Sequence, residues 1–121
     1  MVIDTSAVIA ILQKEAEAQQ FADLIAADLY PLMSAVSHLE SAIVIGSRYG
    51  TTGRSQLDAL LRLHAVSIMP FTLAQAAAAE AAYFAYGKGY HPARLNMGDC
   101  CSYALAKTTG ESLLLKGNDF S

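Results

Sequence analysis

Long apolar runs, an excess of basic residues and paired cysteines are all missing from this chain, and each absence removes a class of protein. No apolar stretch approaches the ~18 residues that a membrane span requires, so no membrane-crossing helix is expected. The N-terminus carries neither a basic leader region nor a cleavable apolar segment, which argues against secretion and for the cytoplasm. Cys100 and Cys101 are the only cysteines. Adjacent cysteines do not close an unstrained disulfide, and they lack the CxxC spacing of a zinc site. They are expected to be reduced and packed as small hydrophobes. A formal net charge of −3 and a pI near 5.4 argue against a protein that coats nucleic acid by charge alone. Only 16% of residues are charged against 54% hydrophobic. That balance fits a mostly buried sheet, or an apolar surface reserved for a partner. At 121 residues, with no repeat and no linker, the chain reads as one domain with a real core.

What is present alternates short β-type runs with helical stretches. Met1–Ile3 reads as a strand, followed by a short helix from Ser6 to Gln13 and a second from Glu15 to Ala27. Tyr30–Ser34 is a strand, and Val36–Arg48 a helix closed near Gly46–Gly50. Leu57, Leu60, Leu61 and His64 give a helical face to Gly53–His64. Val66–Met69 is a strand stopped by Pro70. Thr72-Leu73-Ala74-Gln75 has the form of a capping box and opens an Ala-rich helix that runs to Tyr86, where Gly87 ends it. Gly87–Pro92 is a loop, Met97–Thr109 a helix and Ser112–Leu115 the last strand. Strands separated by helices predict an α/β fold: a three-layer α/β/α sandwich with a mostly parallel central sheet. Right-handed crossovers then gather the strand carboxyl ends along one edge, where ligand sites form.

Four acids map to that edge although apolar neighbours surround them. Asp4 and Asp119 each follow a strand, while Glu40 and Asp99 lie in the first turns of helices that leave the same edge. Each has a local explanation. Asp4 can cap the next helix, Glu40 can complete a box with Ser37, Asp99 can cap with Asn96 and Asp119 can close an Asx turn. Yet Val36 and Val44 flank Glu40 at four-residue spacing, which puts it on an apolar stripe. Nothing in the local explanations requires all four to converge. Clustered carboxylates repel by several kcal/mol at an effective dielectric near ~20, and without a cation some must protonate. Mg²⁺ or Mn²⁺, bound by oxygen, is the simplest partner. Such a site hydrolyses phosphodiesters by lowering the pKa of a bound water and stabilising the leaving oxygen. Two divalent cations would bring the formal −3 to +1, so an acidic chain could still accept a polyanion.

In this order the motifs resemble the PIN-domain ribonucleases, and within them the VapC-type toxins of bacterial toxin–antitoxin pairs. The segments that carry the resemblance are Val2-Ile3-Asp4-Thr5-Ser6-Ala7, the helical Glu40, Gly98-Asp99-Cys100-Cys101-Ser102-Tyr103-Ala104-Leu105-Ala106 and Lys116-Gly117-Asn118-Asp119-Phe120. Tyr86-Gly87-Lys88-Gly89 and His91-Pro92-Ala93 with Leu95-Asn96 are in the same style. The resemblance implies a Mg²⁺- or Mn²⁺-dependent endoribonuclease, a homodimer and a cognate antitoxin whose tail fills the cleft. It carries the metal and catalytic roles to Asp4, Glu40, Asp99 and Asp119, with Thr5 or Ser6 orienting a carboxylate or a water. The chain stops at Ser121, just past Asp119, where relatives run on, so a C-terminal truncation is the expectation.

Lys88, His91 and Arg94 form a basic loop ahead of the acidic segment and are candidates, with Lys116, for holding RNA phosphates. Tyr90 either stacks on an unpaired base or anchors the loop. Other readings stay open. A haloacid-dehalogenase phosphatase would need a second Asp two residues after Asp4, where Ser6 stands. A receiver-like module would need paired acids near the N-terminus. A catalytically silent PIN-like or Mg²⁺-binding module would act through protein contacts alone.

Overall fold

The computed structural model describes residues 1–117. Four strands, β1 (Val2–Ile3), β2 (Leu32–Ser34), β3 (Ser67–Met69) and β4 (Leu113–Leu114), form a parallel sheet in the order β3-β2-β1-β4. Val2 pairs with Leu32 on one side and Leu113 on the other, which makes β1 central. Because successive side chains point to opposite faces, this short strand feeds two cores. Ile3 packs with Met33 and Leu114 against Ala7, Val8, Phe21, Ile25 and Leu57. Val2 packs with Leu113 against Leu105 and Ala106 on the other face. Each such fully buried aliphatic side chain contributes roughly 1.5–3 kcal/mol. Helices therefore cover both faces, as the strand–helix alternation predicts.

The helices are α1 (Thr5–Leu12), α2 (Ala18–Ala27), α3 (Ala35–Leu63), α4 (Leu73–Tyr86) and α5 (Met97–Thr109). Three starts are set by side chains expected to cap. Asp4 accepts from Ser6 N, Thr72 from Gln75 N, and Asn96 forms a reciprocal box with Asp99. Gly110, at φ 76°, ends α5 in the left-handed region that glycine adopts without strain. Ala79 and Ala82 of α4 lie against Cys100, Cys101 and Ala104 of α5, the close packing that small side chains permit. Both cysteines are buried and free.

The break expected between the helices at Val36–Arg48 and Gly53–His64 is present and narrows to Gly50 (φ 63°, ψ −149°), across which the two helices follow one another as α3. A single residue outside the helical region is enough to turn the chain there, and Gly takes it without a Cβ penalty. Two expectations are corrected. α2 begins at Ala18 rather than Glu15: Lys14, at φ 55°, parts it from α1, and residues 15–18 form a turn in which Ala18 N donates to Glu15 O at 3.0 Å. Finally, α3 is capped by Ser34, whose Oγ accepts from Val36 N at 3.2 Å, not by Ser37. Glu40 thus lies in the second helical turn, and the box expected with Ser37 does not form. Among the described residues no helix is long and apolar enough to cross a membrane.

Candidate active site

Asp4 ends β1 in extended conformation (φ −80°, ψ 158°) and is 1% exposed. Leaving a carboxylate there without partners would cost several kcal/mol. Both of its oxygens are held: Oδ2 accepts from Ser6 N at 2.9 Å and Oδ1 from Ser102 Oγ at 2.6 Å. Asp99 stands on the first turn of α5, where Asn96 N donates to its Oδ2 at 3.1 Å and Asp99 N donates to Asn96 Oδ1 at 2.8 Å. The capping explanations of Asp4 and Asp99 are therefore correct, and they position both acids without consuming every lone pair.

Glu40 reaches across from α3 and seats its carboxylate on Gly98. A Cβ built at residue 98 would stand 2.7 and 2.8 Å from the two Glu40 oxygens. Only glycine leaves that room, so the acid from α3 can meet the start of α5. Burial pushes the Asp99 carboxyl up to about 6. The charge of Asp4, a side-chain hydrogen bond to Asp4 and the charge of Glu40 act in the same direction, against the Asn96 amide. Asp4, Glu40 and Asp99 thus feel one another, and they line a single pocket of about 360 Å³. Among the described residues no group of three or more His, Cys, Asp or Glu side chains is drawn tightly enough to hold a metal ion as placed. The three acids share a pocket without closing a coordination sphere. Their donor set is nevertheless all oxygen, the kind that suits a hard cation such as Mg²⁺ or Mn²⁺. Asp119, the fourth expected acid, lies outside the described residues.

Thr5 and Ser6 line the same pocket. The Thr5 hydroxyl donates to the Ser37 carbonyl at 3.2 Å, and Ser6 Oγ accepts from Lys116 N at 2.9 Å. The hydroxyl that touches an acid is that of Ser102, which the sequence reading passed over. A signal was available: Gly98, Cys101, Ser102 and Leu105 follow the spacing of one buried helical face, with a hydroxyl in its middle. Arg48 was also missed, although it continues the stripe of Glu40 and Val44 by one turn, and all three line the pocket.

Lys116 lies on the pocket wall and its ammonium pairs with Glu15 and, at 3.7 Å, Glu17. Lys88, His91 and Arg94 are elsewhere, exposed around a separate hollow with Tyr90 and Pro92. His91 Nδ1 accepts from Ala93 N at 3.0 Å, and its ring meets Tyr86 edge-on at 5.4 Å. Tyr90 packs edge-on with Tyr83 and Phe84. A third depression, about 670 Å³ and mostly apolar, runs between α4 and α5 past Phe71, Phe84 and Met97. It meets the acidic pocket at Asn96. Neither cysteine offers a nucleophile, since burial and nearby carboxylates raise both thiols, Cys100 to about 11.

A family model described as "PIN domain" matches residues 1–121. The Mycobacterium tuberculosis protein named ribonuclease VapC30 is 51% identical over 120 residues, covering 99% of this chain and 92% of that protein. A ribonuclease VapC of Mycolicibacterium smegmatis is 50% identical over 120 residues, covering 99% and 93%. Among solved structures, Mycobacterium tuberculosis VapC20, described as a sarcin-ricin loop cleaving toxin, superposes with a TM-score of 0.76. The match has 16% identity and covers 98% of this chain and 91% of that one. A toxin–antitoxin complex from Klebsiella pneumoniae gives a TM-score of 0.71 at 19% identity, covering 99% and 89%. At those identities the structural likeness speaks for the fold alone.

Proposed function

Because the chain belongs to the PIN-domain family and stands among the VapC ribonucleases, we propose that it is a divalent-metal-dependent endoribonuclease, the toxin of a toxin–antitoxin pair. One observation carries the reading. Asp4, buried and anchored through both oxygens, shares a pocket with Glu40 and with an Asp99 whose carboxyl is raised by burial and by those neighbours. The chemistry supplied by bound Mg²⁺ or Mn²⁺ is polarisation of the scissile phosphate and activation of a water. Asp4, Glu40 and Asp99 would hold the cation, with Asp119 as a fourth ligand. No side chain need act as a covalent nucleophile.

Around that centre the chain's own residues bind and orient RNA. Arg48 and Lys116 on the pocket wall would meet phosphates next to the scissile one, Lys116 by leaving Glu15 and Glu17. Lys88, His91 and Arg94 would hold RNA farther along the strand, with Tyr90 supporting the loop from the aromatic cluster of Tyr83 and Phe84. The cognate antitoxin is the natural partner, the protein acts as a homodimer, and its place is the cytoplasm. The kinship with the VapC ribonucleases supports the protein partner. The test is cleavage of RNA in Mg²⁺ or Mn²⁺ by wild type, Asp4→Asn and Asp99→Asn. Cleavage by wild type that both variants lose is the expected result; equal cleavage by all three would sink the reading.

A further inference from the structure

We propose that Ser102 is a positioning residue that fixes the Asp4 carboxylate for cation binding, with Ser37 acting behind it. The inference rests on the reading of Asp4 as a cation ligand. An ionised carboxylate only accepts hydrogen bonds, so the Ser102 hydroxyl must donate to Asp4 Oδ1 across their 2.6 Å contact. That leaves Ser102 Oγ with lone pairs alone for Ser37 Oγ, 2.9 Å away, and the Ser37 hydroxyl must donate. A directional chain of hydroxyls therefore runs from α3 through α5 to the end of β1. All three residues are essentially sealed from water, at 0%, 0% and 1% exposure.

The arrangement departs from what helical hydroxyls do by default, which is to bond back to the carbonyl of the preceding turn. Thr108 and Thr109 in the same helix do so, donating to Ala104 O at 2.9 Å and Leu105 O at 2.6 Å, and Ser41 donates to Ser37 O at 2.7 Å. Ser102 instead turns its hydroxyl across the fold. The consequence is geometric. Rotation of a carboxylate about its last torsion is broad and only two-fold restricted. Here a backbone amide holds one Asp4 oxygen and a charge-assisted hydroxyl the other, so the plane of the group is set. A ligand oriented in advance gives tighter cation binding than one that must be ordered on binding.

The test is calorimetric Mn²⁺ titration of the full chain as wild type, Ser102→Ala, Ser37→Ala and Asp4→Asn, each also melted in chelator. Ser102→Ala is expected to fold but melt lower in chelator, because the buried Asp4 carboxylate loses one of its two donors, and to bind Mn²⁺ about tenfold or more weakly. Ser37→Ala should weaken binding by a smaller factor. Excess Mn²⁺ should restore kcat on RNA in Ser102→Ala with KM for RNA unchanged. Wild-type Mn²⁺ affinity in Ser102→Ala, whether or not its melting point falls, beside lost affinity in Asp4→Asn would overturn the role of Ser102 and leave the function standing. Wild-type affinity in Asp4→Asn would overturn both. If Ser102→Ala does not fold, Ser37→Ala decides: weaker Mn²⁺ binding supports the chain of hydroxyls, and unchanged binding overturns it.

Discussion

The acidic pocket and the loop from Gly87 to Leu95 both carry candidate site residues, yet they are held in place differently. In the pocket, local caps at Asp4 and Asp99 are joined by bonds between distant parts of the chain: Ser102 to Asp4, Ser37 to Ser102, Thr5 to Ser37 and Lys116 to Ser6. In the loop they are local, such as Ala93 N to His91 Nδ1 and the bridge between Gly87 and Leu95. A group fixed from several elements at once cannot shift without disturbing all of them; a group fixed by its own neighbours can. The pocket therefore has the rigidity that bond-breaking requires, and the loop the freedom that suits gripping a flexible strand. Substitutions in the first should change rate and cation affinity, and substitutions in the second should change grip.

The largest expected effect is at Asp4. Asp4→Asn keeps the size of the side chain but removes its charge and places an NH₂ or a neutral oxygen opposite the Ser102 hydroxyl. Removing a group that merely supports a metal ligand typically costs about 10–100-fold, so loss of the ligand itself should exceed about 100-fold in kcat/KM. Steady-state cleavage at saturating Mn²⁺ measures it. A loss below tenfold would mean that the buried anchor is structural only and would erase the contrast with the loop.

Next comes Gly98→Ala. The added methyl would meet both Glu40 oxygens inside 3 Å. Glu40 must swing the far end of its flexible side chain aside, a shift that costs little stability but moves the carboxylate from its place in the pocket. Cleavage should fall by about tenfold or more, the loss expected when a ligand is misplaced. Gly89→Ala in the loop meets no atom within 4 Å. It should leave the rate constant near wild type, although φ 91° makes it mildly destabilising. Equal rate losses in the two variants would break the comparison.

A third test uses pH without cation. The Asp99 carboxyl, ordinarily at 3.8, titrates at about 6 in the fold. Between those values the folded state binds more protons than the unfolded one, so metal-free stability falls as pH rises through the window and levels off above it. Cation binding must run the other way, tightening as the proton leaves. Denaturation in chelator at pH 4.5 and 7 should show the slope in wild type and its reduction in Asp99→Asn. The same slope in both proteins would place the titrating group elsewhere.

How much of this was legible in the residues varies with the range of the cause. Asp4 and Asp99 could be placed because their anchors are local: a strand end running into a helix, and an Asn three residues before an Asp. The parallel sheet followed from alternation and the Thr72 cap from its hydroxyl, but the reciprocal half of the expected box does not form, because Gln75 Oε1 has no partner among the described residues. Glu40 was assigned to the right helix but one turn too early, because Ser34 and Ser37 are both competent caps and tertiary packing chose Ser34. The kink at Gly50 was blurred across five residues for a similar reason: Gly46 and Gly50 both permit a break, and only one takes it. Ser102 could be read as a hydroxyl on a buried helical face, but its partner, 98 positions away, could not. Local rules cannot supply such a contact. Arg48 was within reach, one more step along a stripe already drawn.

The smallest expected effect belongs to the loop. Lys88 and Arg94 are exposed, and neither lines the acidic pocket. Neutralising them removes phosphate attraction in high dielectric, worth about 1 kcal/mol or less for an exposed pair. Lys88→Ala should raise KM for RNA a few-fold with kcat unchanged, and it should lower the dependence of binding on salt by about 0.7 in the logarithmic slope if one phosphate contact is lost. Arg94 adds a backbone cost of its own, sitting at φ 55° where glycine is easier. Arg94→Gly should therefore weaken RNA binding while raising the melting temperature slightly and leaving Mn²⁺ affinity unchanged, whereas a substitution at Asp4, Glu40 or Asp99 should lower that affinity. A fall in kcat from Lys88→Ala at saturating RNA would join the loop to the chemistry and dissolve the distinction between the two regions.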